Sequence, residues 1–226
     1  MWKPFFYLMI IDSLLKQQNM IHSLSMNITC AILAGGYSKR MGKDKATLEI
    51  NGKPLLFYVF ETVKHVFRNI VIVSNNHSAF KGIDVPVVKD IAPVSGTMTG
   101  IVSALVHAHD PYVFVCACDM PFMTEYAIRH LINEIKGEDI IIPKTEKGYE
   151  PLHAIYSKSC ISYMLKAIEQ NRLKIDRIFP ALNVKELNDS KWFYNDGYSV
   201  FTNINSATDL EKYGDKLVKP GLLNAE

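Results

Sequence analysis

Cysteine is scarce in this chain: Cys30, Cys116, Cys118 and Cys160 are the only four in 226 residues, and no two form a C-x-x-C pair. Cys116 and Cys118 fall on one face of a strand, but two thiols without further ligands nearby argue against a zinc module. Three of the four sit in apolar or strand-like surroundings, as buried reduced thiols do, which points to a cytosolic setting. Charge of one sign is lacking too. Lys and Arg number 25 against 23 Asp and Glu, a net charge of +2, and the isoelectric point is near 8.2. That balance excludes nucleic acid or an anionic membrane as the main partner. Long hydrophobic runs are missing: Phe5 to Ile11 is apolar, but Asp12 stops it far short of the ~20 residues a membrane span requires. The following HSLSMN is a poor cleavage site, which argues against secretion. There is no internal repeat and no low-complexity linker. With 48% hydrophobic residues, the length suits one α/β domain with a sizeable core rather than two.

The most informative stretch is Ile28 to Lys45, ITCAILAGGYSKRMGKDK. Its apolar opening suits a strand covered on both faces. Gly35 and Gly36 end the strand, and paired glycines let backbone N–H groups turn together toward one anion where side chains would block the approach. Arg40, Lys43 and Lys45 follow with the cations a triphosphate needs. Neither the Walker spacing nor G-x-G-x-x-G fits this loop. Further on, Asp119 closes the apolar strand Tyr112 to Cys118, where an open α/β sheet places its ligand crevice. A carboxylate there suits Mg2+, which takes few protein oxygens together with water and phosphate oxygens. Asp90 ends VPVVKD in the same way. Guanine presents N1–H beside an exocyclic amine, and one carboxylate accepts from both, although a surface turn explains Asp90 equally well. Gly96 and Gly100 flank a turn and a helix start, either for ligand approach or for the turn itself. Asn75 and His153 sit near strand ends without an assigned role.

The remaining pattern alternates strand and helix. Strands are expected at Thr47 to Ile50, Ile70 to Val73, Asp84 to Val88, Asp139 to Ile142, Leu152 to Tyr156, Asn183 to Leu187 and Ser199 to Ile204. Helices are expected after Pro54, over Gly100 to His109, after a Thr124 cap, over Ser159 to Gln170, over Arg172 to Phe179 and after a Ser206 cap. Repeated βα units predict a three-layer, doubly wound, mainly parallel Rossmann-like sheet.

LAGGYSKRMGKDKATLEINGKPLL resembles the opening motif of the sugar-nucleotidyltransferase-like superfamily, and more narrowly of the molybdenum cofactor guanylyltransferases, which pair LAGG with R-M-G and D-K. The similarity runs on through VVKDIAPVSGTMTG, CACDMP, EPLHAIY and FTNINSATDL. It begins at Met26, so residues 1–25 read as an extension: a disordered or mis-assigned start, or an amphipathic appendage, ahead of a single domain at 26–226.

The resemblance implies GMP transfer from GTP to the phosphate of molybdopterin with release of pyrophosphate, and Mg2+ as cofactor. Leu33, Ala34, Gly35 and Gly36 would cradle the nucleotide, with Asp90 at the base. Lys45 would neutralise the α-phosphate, Arg40 would hold the leaving pyrophosphate, and Asp119 would anchor the metal. Asn203 and Asn205, alternate residues of an expected strand, would face the pterin, although Ala207 stands where the family pattern has proline. Arg172 would touch its phosphate, with a solvated helix cation as the competing reading. The partners implied are GTP and molybdopterin, with transient contacts to cofactor-biosynthesis or acceptor enzymes. Two competing functions remain open at this level: a cytidylyl or sugar-phosphate nucleotidyltransferase, and a nucleotide-binding adaptor without turnover.

Overall fold

The structure, a computed structural model, describes residues 27–35, 49–50, 52–76, 80, 83–91, 96–188, 190–195 and 197–214. The expected N-terminal extension lies outside the described residues, as do Gly36, Arg40 and Lys45.

The main sheet is built on β1 (Ile28–Leu33), flanked in parallel by β4 (Asn69–Val73) and β6 (Tyr112–Ala117), with β5 (Val87–Val88) parallel to β4. Past Thr29 and Tyr112 at their starts, both central strands are apolar, as suits strands covered on two faces. Beyond β6 the direction reverses. β9 (His153–Ser157) runs antiparallel to β6 and to β7 (Ile140–Thr145), and β10 (Val184–Leu187) closes that edge parallel to β7. The order is β10-β7-β9-β6-β1-β4-β5, with β8 (Gly148–Tyr149) hairpinned onto β7. Two small ribbons stand apart, β2 (Glu49–Ile50) with β3 (Lys53–Pro54) and β11 (Tyr194–Asn195) with β12 (Tyr198–Ser199).

Helices cover both faces. α1 (Leu55–Val63) and α3 (Glu125–Asn133) press Leu56, Val59, Val63, Ile128 and Leu131 against Cys30, Ile32 and Phe114. α2 (Thr97–His107) and α4 (Cys160–Glu169) press Ile101, Leu105 and Met164 against Ala31, Val113 and Val115. Local chemistry sets the ends of these elements. The Thr124 hydroxyl accepts from Ala127 N at 3.1 Å and starts α3, while Ser206 does the same for Asp209 N ahead of α5 (Ala207–Tyr213). α4 stops where Asn171 turns to φ 55° and Arg172 N reaches back to Ala167 O at 2.8 Å. Gly100 lets α2 approach β1, because a Cβ there would lie 2.9 Å from Leu33 Cδ1.

Three expectations are corrected. The segment 172–179 is not an α-helix: a 3-10 turn runs from Ile175 to Ala181 with Pro180 inside it, and proline has no N–H to continue an α-helix. The segment 199–204 is not a strand. Gly197, at φ 80°, turns β11 into β12, and Val200 N is taken by Phe193 O at 2.9 Å, so the chain leaves the ladder after Ser199. The strand expected over 84–88 is reduced to Val87–Val88.

Candidate functional site

The parallel strands β1, β4, β5 and β6 deliver their carboxyl ends to one edge of the molecule, where an open α/β sheet places its ligand crevice. The ladder holds one residue past β1: Ala34 N donates to Val73 O at 3.0 Å and Cys118 N to Leu33 O at 3.1 Å. Buried Ser74 fixes the exit by donating to Ala34 O at 3.2 Å and accepting from Asn76 N at 3.1 Å. Leu33 and Ala34 are thereby held in the floor, and Gly35 comes out exposed.

Gly35 and Asp90 meet at this point. A Cβ on Gly35 would lie 3.9 Å from Asp90 Oδ2, so the carboxylate stands directly beside the glycine turn. Asn75 holds it there with a reciprocal clasp: its Nδ2 donates to Asp90 Oδ2 at 3.1 Å and its Oδ1 accepts from Asp90 N at 3.2 Å. Ser103 of α2 lies 3.4 Å from Asp90 Oδ1, but its single hydrogen goes to Thr99 O at 2.7 Å, so Asn75 is the stronger holder. A carboxylate oxygen with two lone-pair sites keeps acceptor capacity after such a clasp. The sequence left Asn75 unassigned. Its one signal was its position just past a strand that ends on the same edge.

Asp119 stands two residues beyond β6, only 5% exposed, and its carbonyl accepts from Ile204 N at 2.9 Å. That bond carries the carboxyl-terminal segment across the same edge. Ile204 is buried against Ile50 and Leu55, while Asn203 is exposed and Asn205 half-buried. The two asparagines thus flank an anchored residue without being strand residues. Among the described residues, no three His, Cys, Asp or Glu side chains come together to hold a metal ion. One strand-end carboxylate does not fit a closed protein cage. It fits Mg2+, which keeps waters and takes substrate phosphates.

Arg172 is not on an α-helix but lies exposed just past the Asn171 turn. Together with Lys174, Arg177 and Asp176 it lines a cavity of about 670 Å³. α4 starts beside the amino end of β6, where Lys158 N bonds Pro111 O at 3.0 Å, and the 3-10 turn after it packs Phe179 against Tyr149, which pairs with Lys144 on β7. Sequence reasoning found Arg172 and missed its two cationic neighbours.

His153 is fully buried edge-on to Phe114 at 5.2 Å and near-perpendicular to Phe201 at 5.3 Å. Neither ring nitrogen has a hydrogen-bond partner among the described residues, and burial pushes the imidazole down to about 3, so it is neutral near pH 7. All four cysteines are buried, and none is in a disulfide. No helix among the described residues is long and apolar enough to cross a membrane.

Comparison with known proteins places these features in context. Residues 30–183 match the family described as the MobA-like NTP transferase domain. A probable molybdenum cofactor guanylyltransferase of Natranaerobius thermophilus is 37% identical over 82% of this chain and 94% of its own length. A molybdenum cofactor guanylyltransferase of Desulfosudis oleivorans is 32% identical over 87% and 98%. Among solved structures, molybdopterin-guanine dinucleotide biosynthesis protein A from Archaeoglobus fulgidus superposes with a TM-score of 0.71 at 29% identity, covering 83% of this chain and 97% of that one.

Proposed function

Because the chain belongs to the MobA-like NTP transferase family, alongside the molybdenum cofactor guanylyltransferases, we propose that its carboxyl-end crevice transfers GMP from GTP to the phosphate of molybdopterin. The enzyme class, nucleotidyltransferase, comes with the family. The observation that carries the choice of nucleotide is the clasped Asp90 beside Gly35. Guanine offers N1–H and its 2-amino group as adjacent donors to such a carboxylate, whereas cytosine offers two acceptors and one donor and would set an oxygen against the anion.

A phosphate oxygen of molybdopterin attacks the α-phosphorus, the bond from that phosphorus to the bridging oxygen breaks, and pyrophosphate leaves. The nucleophile is already ionised at neutral pH, so no side chain has to remove a proton. Position and charge carry the reaction. The Leu33 to Gly36 backbone approaches the nucleotide, Lys45 neutralises the α-phosphate, and Arg40 holds the departing pyrophosphate. Asp119 holds Mg2+, which when bound neutralises phosphate charge. Asn203 and Asn205 offer amides to the pterin, and Arg172 offers a cation to its phosphate. The single domain at 26–226 carries the whole reaction in the cytoplasm, consistent with four cysteines outside any disulfide, and meets cofactor-biosynthesis or acceptor enzymes only transiently.

Pyrophosphate release, measured with GTP, CTP, ATP and UTP with and without molybdopterin, tests this. Release is expected with GTP plus molybdopterin alone. Preference for CTP would overturn the donor assignment, release independent of molybdopterin would overturn the acceptor, and no release with any donor would leave a nucleotide-binding adaptor.

A further inference from the structure

We propose that Glu150 is a specificity-determining residue that reads the 2-amino, N3–H edge of the pterin; this rests on the acceptor assignment above and adds a residue to it. Its place follows from register. β6 and β9 are antiparallel with Cys116 opposite His153, so Asp119, which follows β6, and Glu150, which opens the turn into β9, lie at the same end of the sheet. Phe201 to Ile204 cross that end, Phe201 against His153 and Ile204 bonded to Asp119. Glu150 and the exposed Asn203 therefore belong to one rim.

The backbone at Glu150 is pinned. Its N donates to Pro143 O at 3.0 Å, its O accepts from His153 N at 3.1 Å, and the buried Tyr156 hydroxyl donates to the following carbonyl, Pro151 O, at 2.9 Å. The side chain is half-buried, yet it has one hydrogen-bond partner among the described residues, the Thr145 hydroxyl 3.3 Å from Oε1, which divides its single hydrogen between Glu150 and Gly148 O at 3.2 Å. Oε2 has none. Desolvation holds this carboxyl above the usual carboxylate range, with Thr145 and then Lys147 opposing the shift. A fixed, partly desolvated carboxylate with an uncommitted oxygen suits a ligand that presents two adjacent N–H donors, because both bonds are then charge-assisted. The 2-amino-4-oxopteridine edge presents that pair. GTP is already served by Asp90.

Glu150→Gln keeps the size and the Thr145 bond but replaces one acceptor oxygen with an amide donor. In the full chain, KM for molybdopterin is expected to rise about tenfold while KM for GTP stays within about twofold, the loss expected from a charged hydrogen bond. Equilibrium binding followed by pteridine fluorescence gives a readout free of turnover. Wild type is expected to prefer a 2-amino-4-oxopteridine over its 2,4-dioxo counterpart, and Glu150→Gln to lose that preference. Unchanged discrimination, or a rise confined to KM for GTP, would overturn the proposal. Wild type that discriminates the pteridines in a Glu150-dependent way but releases no pyrophosphate would support it while removing the transfer reaction.

Discussion

The two ends of the main sheet both carry carboxylates, in opposite states. At the amino end, Asp110 is buried and accepts from Thr29 Oγ1 at 2.7 Å and Asn69 Nδ2 at 2.9 Å, tying together the starts of β1 and β4. Asp139 nearby accepts from Ser159, from Ser157 Oγ at 3.3 Å and from Asn183 N at 2.9 Å, and these bonds, Ser159 first, hold its carboxyl below the usual range. At the carboxyl end, Glu150 has one neutral partner and is pushed the other way by desolvation. Neither ring nitrogen of His153 there has a hydrogen-bond partner among the described residues. The amino end is a staple in which polar groups complete one another. The carboxyl end keeps polar groups at a cost in stability and leaves acceptor capacity for substrates.

Acid should expose the largest difference. The folded imidazole of His153 stays neutral down to about 3, whereas the unfolded chain takes its proton near 6.5. The folded value is depressed, so this contribution is complete above pH 6.5 and is lost as pH falls from about 6.5 toward 3, roughly 5 kcal/mol across the whole window at ~1.4 kcal/mol per unit. Urea unfolding at pH 7, 5 and 4 measures the slope, and His153→Phe should flatten it. An unchanged slope would mean that His153 does not separate the two ends.

Lys45→Ala, in the glycine-loop segment, should lower turnover by roughly 10²-fold while the melting temperature barely moves, as for loss of a preorganised charge donor. A near-normal rate would remove it from the reaction. Asp110→Ala should do the reverse. It strands the Thr29 hydroxyl and the Asn69 amide and should cost about 2 kcal/mol of unfolding free energy in urea, with kcat/KM within about twofold of wild type. If it cut turnover as Lys45→Ala does, the division between staple and site would fail.

The sequence made much of this contrast visible, and the reasons it fell short elsewhere are physical. The strands at Ile28 and Tyr112, the Thr124 and Ser206 caps and the strand-end placement of Asp119 follow from burial pattern and side-chain chemistry that act locally. The direction of β9 does not, because a short, continuously buried run such as HAIY has the same pattern whichever way the strand runs. Phe201 to Ile204 has strand-like alternation, but the Gly197 turn spends the pairing before it begins. The Asn75–Asp90 clasp joins residues two positions past the ends of β4 and β5 and leaves no local mark. Glu150 and His153 lay within a quoted motif, yet their unequal partnering exists only once β6, β9 and the carboxyl-terminal segment are assembled.

The central claim is that the carboxyl end, and Asp119 in particular, holds the metal–nucleotide complex. Binding of Mn2+ in place of Mg2+, titrated by electron paramagnetic resonance in the presence of GTP, tests it most directly. Wild type and Asp110→Ala should take up the ion alike, and Asp119→Asn should bind it at least about tenfold more weakly, because a neutral amide replaces the anionic ligand. Equal uptake by wild type and Asp119→Asn would contradict the account.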